Sequence, residues 1–173
     1  QSLGGSNKDI EIRRTLCALY FYAKRDAEGL AAFDSLKTQG EDTPALYFSL
    51  GKSMNYLNRY AEAIEYYKTG ISKAGETFPE KPLLDAYSGM ARAYVKLGDT
   101  AAAERVLHVD AAKVIKDKVA LKLRESGLYM EMKRYDDAIA ILEWLTASDP
   151  ENIGFYISLS LACDQAGQFE KAE

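Results

Sequence analysis

The sequence predicts an all-α fold, an α-solenoid of antiparallel helix pairs, and the first observation is one spacing that recurs through the chain. Five residues, called the anchors here, stand 34, 40, 35 and 34 positions apart: Tyr20, Met54, Tyr94, Tyr129 and Cys163. Small residues follow nine positions after each anchor: Gly29, Ala63, Ala103, Ala138 and Ala172. Bulky residues follow four positions after those: Phe33, Tyr67, Leu107 and Leu142. A period in this range is typical of stacked helical repeats, none of which can bury its apolar face alone.

Turn-forming residues fall where the predicted helix pairs need them, which is the second observation. The first two pairs are expected to comprise the following helices: 10–24, 26–39, 44–57 and 60–74. Pro44 suits the first turn of a helix, where its missing N–H would have no helical partner in any case. Asn58, Gly98 and Gly167 would lie at the turns inside three repeats, where the backbone needs a left-handed or permissive conformation.

The helix predicted at 60–74 shows the amphipathic pattern of a helix with one buried face. Ala63, Ile64 and Tyr67 share one stripe, whereas Glu62 and Lys68 fall on the opposite, solvent side. A small residue such as Ala63 lets two helix backbones approach closely, and the bulky residue four positions later fills the remaining space. We therefore expect the small residues to lie at helix contacts.

The repeats are predicted at the following residues, with the last one incomplete: 10–43, 44–77, 84–117, 119–152 and 153–173. They form one domain, 8–173, whereas residues 1–7 resemble a linker or tag. Six extra residues around G-E-T-F-P-E-K-P separate the second repeat from the third. Phe78 within them either plugs the end of the second repeat or contacts a partner. The next junction, H-V-D-A-A-K-V-I-K-D-K, is also irregular.

The residues that carry the period resemble the tetratricopeptide repeat. The clearest copy is A-L-Y-F-S-L-G-K-S-M-N-Y-L-N-R-Y-A-E-A-I-E-Y-Y, which has the expected residues at these places: Tyr47, Leu50, Gly51, Tyr60, Ala63 and Tyr67. Met54 departs from the tyrosine of the family pattern, and Glu125 stands in the fourth copy where a leucine is expected. The resemblance covers roughly 10–173. It implies a right-handed superhelix whose first helices form a concave surface.

Members of this family bind extended peptides or a partner's helix along that surface. Carrying the surface over to this chain gives these candidate partner-binding residues: Arg14, Phe21, Tyr22, Phe48, Lys52, Asn55, Tyr56, Arg92, Lys96 and Arg124. Lys52, Arg92 and Lys96 are expected to act together on an acidic segment, and Asn55 to hydrogen-bond a peptide backbone. The alternative is that the aromatic residues pack on the next repeat and that the cations form a solvated face.

One ligand class within the family is not expected. The carboxylate clamp of chaperone-binding members needs a lysine and an asparagine four positions apart on a first helix. The matching residues here are Arg14 and Ala18, or Phe48 and Lys52 one repeat later. The tail of a heat-shock chaperone is therefore an unsuitable ligand.

Composition excludes some functions and leaves the compartment open. The chain of 173 residues has 22 Lys plus Arg, 26 Asp plus Glu and a net charge of -4, so it lacks the basic excess that nucleic-acid binding requires. No apolar run approaches the roughly 18 residues of a membrane span, which favours a soluble protein. Cys17 and Cys163 are expected to be buried and unpaired. Unpaired thiols favour a reducing compartment such as the cytoplasm.

The sequence does not predict an enzyme, a metal site or a cofactor. His108 is the only histidine, and no Cys, Asp or Glu accompanies it at metal-ligand spacing. Glycine-rich phosphate-binding motifs are absent. The sequence therefore predicts a non-catalytic docking scaffold for a protein or peptide, within a larger protein or assembly. The alternative is a self-assembly module that uses the groove and the uncapped helix bearing Tyr156, Leu159 and Cys163.

Overall fold

The computed structural model describes residues 7–167, and the chain divides into two compact units, residues 1–82 and 83–173. All regular structure among the described residues is helical, as the sequence predicts. The N-terminal unit contains α1 (Asn7–Tyr22), α2 (Asp26–Leu36), α3 (Pro44–Tyr56) and α4 (Tyr60–Lys73). Helix α5 (Glu80–Lys96) begins just before the boundary, and the C-terminal unit continues with α6 (Thr100–Arg105), α7 (Lys118–Glu131), α8 (Tyr135–Ser148) and α9 (Ile153–Ala166).

Two of the second helices end irregularly. Helix α2 passes into a π-helical turn at Lys37–Glu41, so the single helix predicted over 26–39 is too long as an α-helix. Helix α6 has only six residues and passes into a π-helical turn, Val106–Asp110, and then a 3-10 turn, Ala111–Lys113. The irregular junction expected after the third repeat is thereby confirmed.

The turns inside the repeats explain why the anchors keep their spacing. Five turn residues have φ angles between 58° and 84°: Lys24, Asn58, Gly98, Lys133 and Gly167. In four repeats the N–H of the next residue donates to the carbonyl oxygen of the anchor at 2.8–3.0 Å: Arg25 to Tyr20, Arg59 to Met54, Asp99 to Tyr94, and Arg134 to Tyr129. This is the six-residue hydrogen bond of a Schellman turn. The backbone of the anchor therefore closes each helix pair.

The small residues of the second helices lie at close helix contacts, as predicted. Ala63, Ala103 and Ala138 are completely buried. The inserted segment also packs as expected for a plug, because the Phe78 ring meets the Phe48 ring edge-on, with centroids 5.8 Å apart. That contact covers the end of the second repeat.

Glu125 is buried where the family pattern has leucine, and two neighbours explain how a carboxylate fits there. The Lys122 ammonium donates to it at 2.6 Å, and His108 Nε2 lies 3.8 Å from it. A buried charge without such a partner would carry a large desolvation cost.

The two cysteines are free and buried, as expected. Burial raises the pKa of Cys17 to about 11, and its thiol lies 3.3 Å from the carbonyl oxygen of Gly29. A thiol with so high a pKa is a poor nucleophile at neutral pH.

Candidate functional site

Two aromatic residues predicted to line the binding surface belong to the core instead. Phe21 is only 1% exposed, and a Cβ added to Gly29 would lie 2.9 Å from its ring. Phe48 is 9% exposed and packs in the same way against Gly70. The prediction that these rings face a groove is wrong, because glycines on the second helices leave space that the rings fill.

Arg14 also has a structural role. Its guanidinium forms an ion pair with Glu41 at 2.5 Å and a hydrogen bond to Thr43 Oγ1 at 3.3 Å. These contacts tie α1 to the connection between the first and second repeats. Arg14 is thus engaged within the N-terminal unit, and its expected role in partner binding stays a prediction.

The remaining candidates of the N-terminal unit form one group, called the tyrosine patch, in which Asn55 is half-buried and the others are exposed: Tyr22, Lys52, Asn55 and Tyr56. The two tyrosine rings meet edge-on with centroids 5.2 Å apart. The amide nitrogen of Asn55 donates to the hydroxyl of Tyr67 at 3.4 Å. Lys52 is exposed and forms no ion pair within residues 7–167. The patch offers ring faces and one cation to a ligand.

The candidates of the C-terminal unit lie on two neighbouring first helices. Arg92 on α5 pairs with Glu131 on α7 at 2.7 Å, and Arg124 on α7 pairs with Asp85 on α5 at 2.6 Å. Between them lies the α5–α7 cleft, about 50 Å³ in volume, which has these lining residues: Ser88, Arg92, Leu107, Leu123, Arg124, Gly127 and Leu128. Lys96 is exposed. The structure therefore brings Arg92 and Arg124 together.

The expected joint action of three cations stays a prediction. Lys52 belongs to the N-terminal unit, whereas Arg92 and Lys96 belong to the C-terminal unit. Within the C-terminal unit, Arg92 and Lys96 are four positions apart on α5 and so share one face of that helix.

Sequence reasoning missed a recurring arginine at the turns. Arg59 donates to Glu62 in its own helix at 2.7 Å and to Asp26 of the preceding repeat at 2.9 Å. Arg134 contacts Asp137 and Glu104 in the same way. The hydrogen bond to Glu62 raises the pKa of Arg59, and the bond to Asp26 adds to this effect. The sequence signal was an arginine five positions after the anchor with an acid three positions later.

A second missed feature is a cavity on the second-helix side of the N-terminal unit. It has a volume of about 390 Å³ and these lining residues: Tyr47, Ala61, Glu62, Glu65, Tyr66 and Thr69. Burial and a hydrogen bond to Asp42 raise the pKa of Tyr47 to about 12, and burial also raises that of Tyr66. Both hydroxyls therefore stay protonated at neutral pH, and the carboxylates of Glu62 and Glu65 supply the negative charge in this lining.

Within the described part of the chain, no three His, Cys, Asp or Glu side chains converge as metal ligands would. His108 lies 3.5 Å from the hydroxyl of Tyr129, beside the buried Glu125. No helix between residues 7 and 167 combines the length and the apolar character needed to cross a bilayer.

Comparisons with known proteins point to one family. Models of the tetratricopeptide repeat match residues 44–72 and 123–173. No curated protein sequence matches the chain.

Solved structures of tetratricopeptide repeat proteins share the fold. A protein from Parabacteroides merdae is 16% identical with a TM-score of 0.66, over 98% of this chain and 64% of its own length. A thermophilic protein from Thermus thermophilus is 20% identical with a TM-score of 0.63, over 94% and 86%. YrrB, a tetratricopeptide repeat protein with an unusual peptide-binding site, is 16% identical with a TM-score of 0.54, over 99% and 88%. This chain thus spans under two thirds of the Parabacteroides protein.

Proposed function

Because models of the tetratricopeptide repeat match two stretches of the chain and a tetratricopeptide repeat protein shares its fold, we propose that it is a non-catalytic scaffold that binds a peptide or helix of a partner protein. The partner lies on the exposed faces of the first helices. YrrB, which shares the fold, has a peptide-binding site, and this likeness supports a peptide as the ligand of this chain. The scaffold serves a larger protein or a multiprotein assembly.

The observation that carries the proposal is a face that the repeats leave uncovered. Lys52 and Arg92 stand two positions before their anchors, and Tyr56 and Lys96 stand two positions after them. All four side chains are exposed. In the last four repeats the residues one position before the anchors are buried: Ser53, Ala93, Leu128 and Ala162. The positions two before and two after the anchors thus present chemically varied side chains to a partner. The positions directly before the anchors pack in the core.

A comparison of two charge-reversed proteins tests the proposal. Partners are captured from native lysate on the intact chain and on the double variant Lys52→Glu, Arg92→Glu. The control carries Lys68→Glu and Arg105→Glu, two exposed cations on second helices. We expect quantitative mass spectrometry to find proteins that bind the intact chain and the control but not the first variant. Identical capture by all three proteins would contradict the proposal.

Self-association is a second candidate function, and the exposed side of α1 favours it. Ile12, Leu16 and Leu19 are 57%, 44% and 52% exposed. Residues at the same repeat positions in the next three repeats are buried: Leu46, Leu50 and Ser53; Ala86, Met90 and Ala93; Leu121, Glu125 and Leu128. A second copy of the chain that covered this face of α1 would bury the same apolar area that the later repeats bury internally.

Light scattering coupled to size exclusion tests this candidate. We expect the intact chain to form a dimer or larger species that the variant Leu16→Glu, Leu19→Glu loses. The control is Val109→Glu, an equally exposed aliphatic residue elsewhere. A monomer at high protein concentration would exclude self-association as the function.

A further inference from the structure

Equivalent residues on the first helices of the C-terminal unit include a cation on α5 and are all aliphatic on α9. We call the residues ten, six and two positions before each anchor the inner stripe of that helix. The inner stripes are: Leu84, Ser88 and Arg92 on α5; Val119, Leu123 and Gly127 on α7; Ile153, Ile157 and Leu161 on α9. Since residues four positions apart share one face of a helix, each stripe is continuous.

The inner stripe of α9 is entirely aliphatic and exposed. Ile153, Ile157 and Leu161 are 74%, 64% and 54% exposed. Single exposed aliphatic residues are ordinary, but three in one stripe form a patch typical of binding sites. The position of Leu161 is also open in earlier repeats, where Lys52 and Arg92 are exposed. Leu161 thus shares its exposure with Lys52 and Arg92, and a large aliphatic side chain stands at that repeat position only on α9.

The opposite side of α9 is apolar as well. Phe155, Ala162 and Cys163 are buried in one cluster with residues of α8, including Leu142 and Leu145. A helix that is hydrophobic on both sides is normally covered on both sides. The inner stripe of α9 therefore suits an aliphatic surface from a ligand.

The cations on α5 and α7 of the same unit, called the basic end, can bind further carboxylates. Three cations, Arg92, Lys96 and Arg124, meet two carboxylates, Glu131 and Asp85. Arg92 uses Nε for Glu131 and Arg124 uses one terminal nitrogen for Asp85. Because a guanidinium has five N–H donors, each arginine can accept a further carboxylate. Lys96 forms no ion pair within the described residues.

The α5–α7 cleft lies beside the cations, because Arg92 and Arg124 both line it. A Cβ added to Gly127 would meet no atom within 4 Å, so the helix surface is open there. The cleft has a volume of only about 50 Å³. It therefore accepts only small side chains from a ligand that passes over it.

We infer that the C-terminal unit binds a partner segment with acidic residues at one end and aliphatic residues at the other. The acidic end lies on Arg92, Lys96 and Arg124, and the aliphatic end lies on the inner stripe of α9. This inference rests on the proposed function and specifies its ligand. Neighbouring packed helices lie about 8–10 Å apart, so the two ends are about 20 Å apart, which an extended segment of about six residues spans.

Selection from a random library of 12-residue peptides displayed on phage tests the inference on the full chain. Bound phage are compared between the intact chain and two double variants, Arg92→Glu with Lys96→Glu and Ile157→Ser with Leu161→Ser. The control is Arg105→Glu with Val109→Ser, which lies outside the first helices. Circular dichroism melting confirms that each variant folds. The most enriched peptide is then synthesised and its affinity is measured by fluorescence anisotropy.

The expected result is enrichment of peptides with acidic and aliphatic clusters about six residues apart. Each of the two double variants should lower the affinity for the best peptide at least tenfold, and the control should leave that affinity unchanged. If the selected peptides respond to these variants but lack that composition, the inference is overturned and the proposed function stands. If no selected peptide loses affinity in these variants or in Lys52→Glu, or if no peptide is selected, both the inference and the proposed function are overturned.

Discussion

At the scale of single residues, two lysines occupy turns whose backbone favours glycine. Lys24 and Lys133 have φ angles of 58° and 59°, where an L-residue with a Cβ is strained by about 1–2 kcal/mol. Gly98 and Gly167 avoid this strain at the same repeat position. The turns at Lys24 and Lys133 are therefore less stable than the same turns would be with glycine.

Replacing Lys133 by glycine should raise the free energy of unfolding by up to about 1 kcal/mol. The relieved strain energy exceeds the free-energy cost of the extra backbone entropy that glycine loses on folding, which is about 0.5–1 kcal/mol. Urea unfolding measures the change. The control Lys133→Ala removes the same charge but keeps a Cβ, so we expect no gain from it. An equal gain from alanine would contradict the strain argument.

Glu125 is the residue whose position is least expected from its chemistry. The equivalent residues of the other repeats are all apolar: Leu16, Leu50, Met90 and Leu159. The carboxylate depends on Lys122, whose side chain is about half exposed. The pair therefore contributes less than its short distance suggests, because solvent screens the lysine.

A double-mutant cycle on Lys122 and Glu125 measures this dependence. Lys122→Met should lower the free energy of unfolding by about 1–3 kcal/mol, because it leaves a buried carboxylate without its ammonium partner. Glu125→Leu should be neutral or stabilising, and Lys122→Met should cost almost nothing in that background. Urea unfolding of the four proteins provides the values. An equal cost of Lys122→Met in both backgrounds would show that the two side chains are not coupled.

At the scale of helices, the same repeat position has different packing in different repeats. Leu50 on α3 is buried, whereas the equivalent Leu16 on α1 is largely exposed. Burial therefore depends on the preceding repeat and not on the helix itself.

Truncation of these two leucines should have unequal effects. Leu50→Ala leaves a cavity and should cost about 2–5 kcal/mol, whereas Leu16→Ala should cost less than about 1 kcal/mol. Urea unfolding at low protein concentration makes the comparison. A cost for Leu16→Ala close to that of Leu50→Ala would mean that α1 is covered in solution, and the exposed stripe would then be an interface.

At the scale of the whole molecule, the sequence predicts one domain and the chain forms two compact units. Repeat proteins unfold cooperatively only where the contacts between neighbouring repeats are strong enough. Trp144 on α8 is the only tryptophan and lies in the C-terminal unit. Its fluorescence therefore reports on that unit, whereas circular dichroism reports on all helices.

Ala103→Leu tests whether the chain unfolds as one domain. Ala103 is completely buried in the C-terminal unit, so leucine should overpack its helix contact at a cost of about 1–3 kcal/mol. For a single domain, the midpoints measured by Trp144 fluorescence and by circular dichroism should fall together. A fluorescence midpoint that falls while part of the dichroism transition stays in place would show that the units unfold separately.

The helical fold, the repeat spacing and three of the turns were predictable from sequence, because each depends on residues within one repeat. Asn58, Gly98 and Gly167 were expected at turns and have positive φ angles there. The lysines at the other two turns were not expected, since lysine has no preference for that conformation. The π-helical turn after α2 gave no recognisable signal either.

The candidate site was predictable only in part. Sequence placed Phe21 and Tyr22 together on one exposed surface, but the structure buries the first and exposes the second. Likewise Arg92 and Lys96 share a face of α5, yet among residues 7–167 only Arg92 has an ion-pair partner, Glu131 of the following repeat. Phe21 is buried by its fit against Gly29 on the paired helix, and Arg92 is paired with a residue of another repeat; neither contact is contained in the hydrophobic pattern of a single helix.

By itself the sequence determined the repeat, its helix pairs, three of its turns and its resemblance to the tetratricopeptide repeat, because periodic local preferences fix which side of each helix is apolar. Tertiary structure alone decided which side chains remain available to a partner. Aromatic rings fill the space beside glycines on neighbouring helices, and charged side chains pair with carboxylates there. Packing within and between repeats determines which of these partners lies within reach.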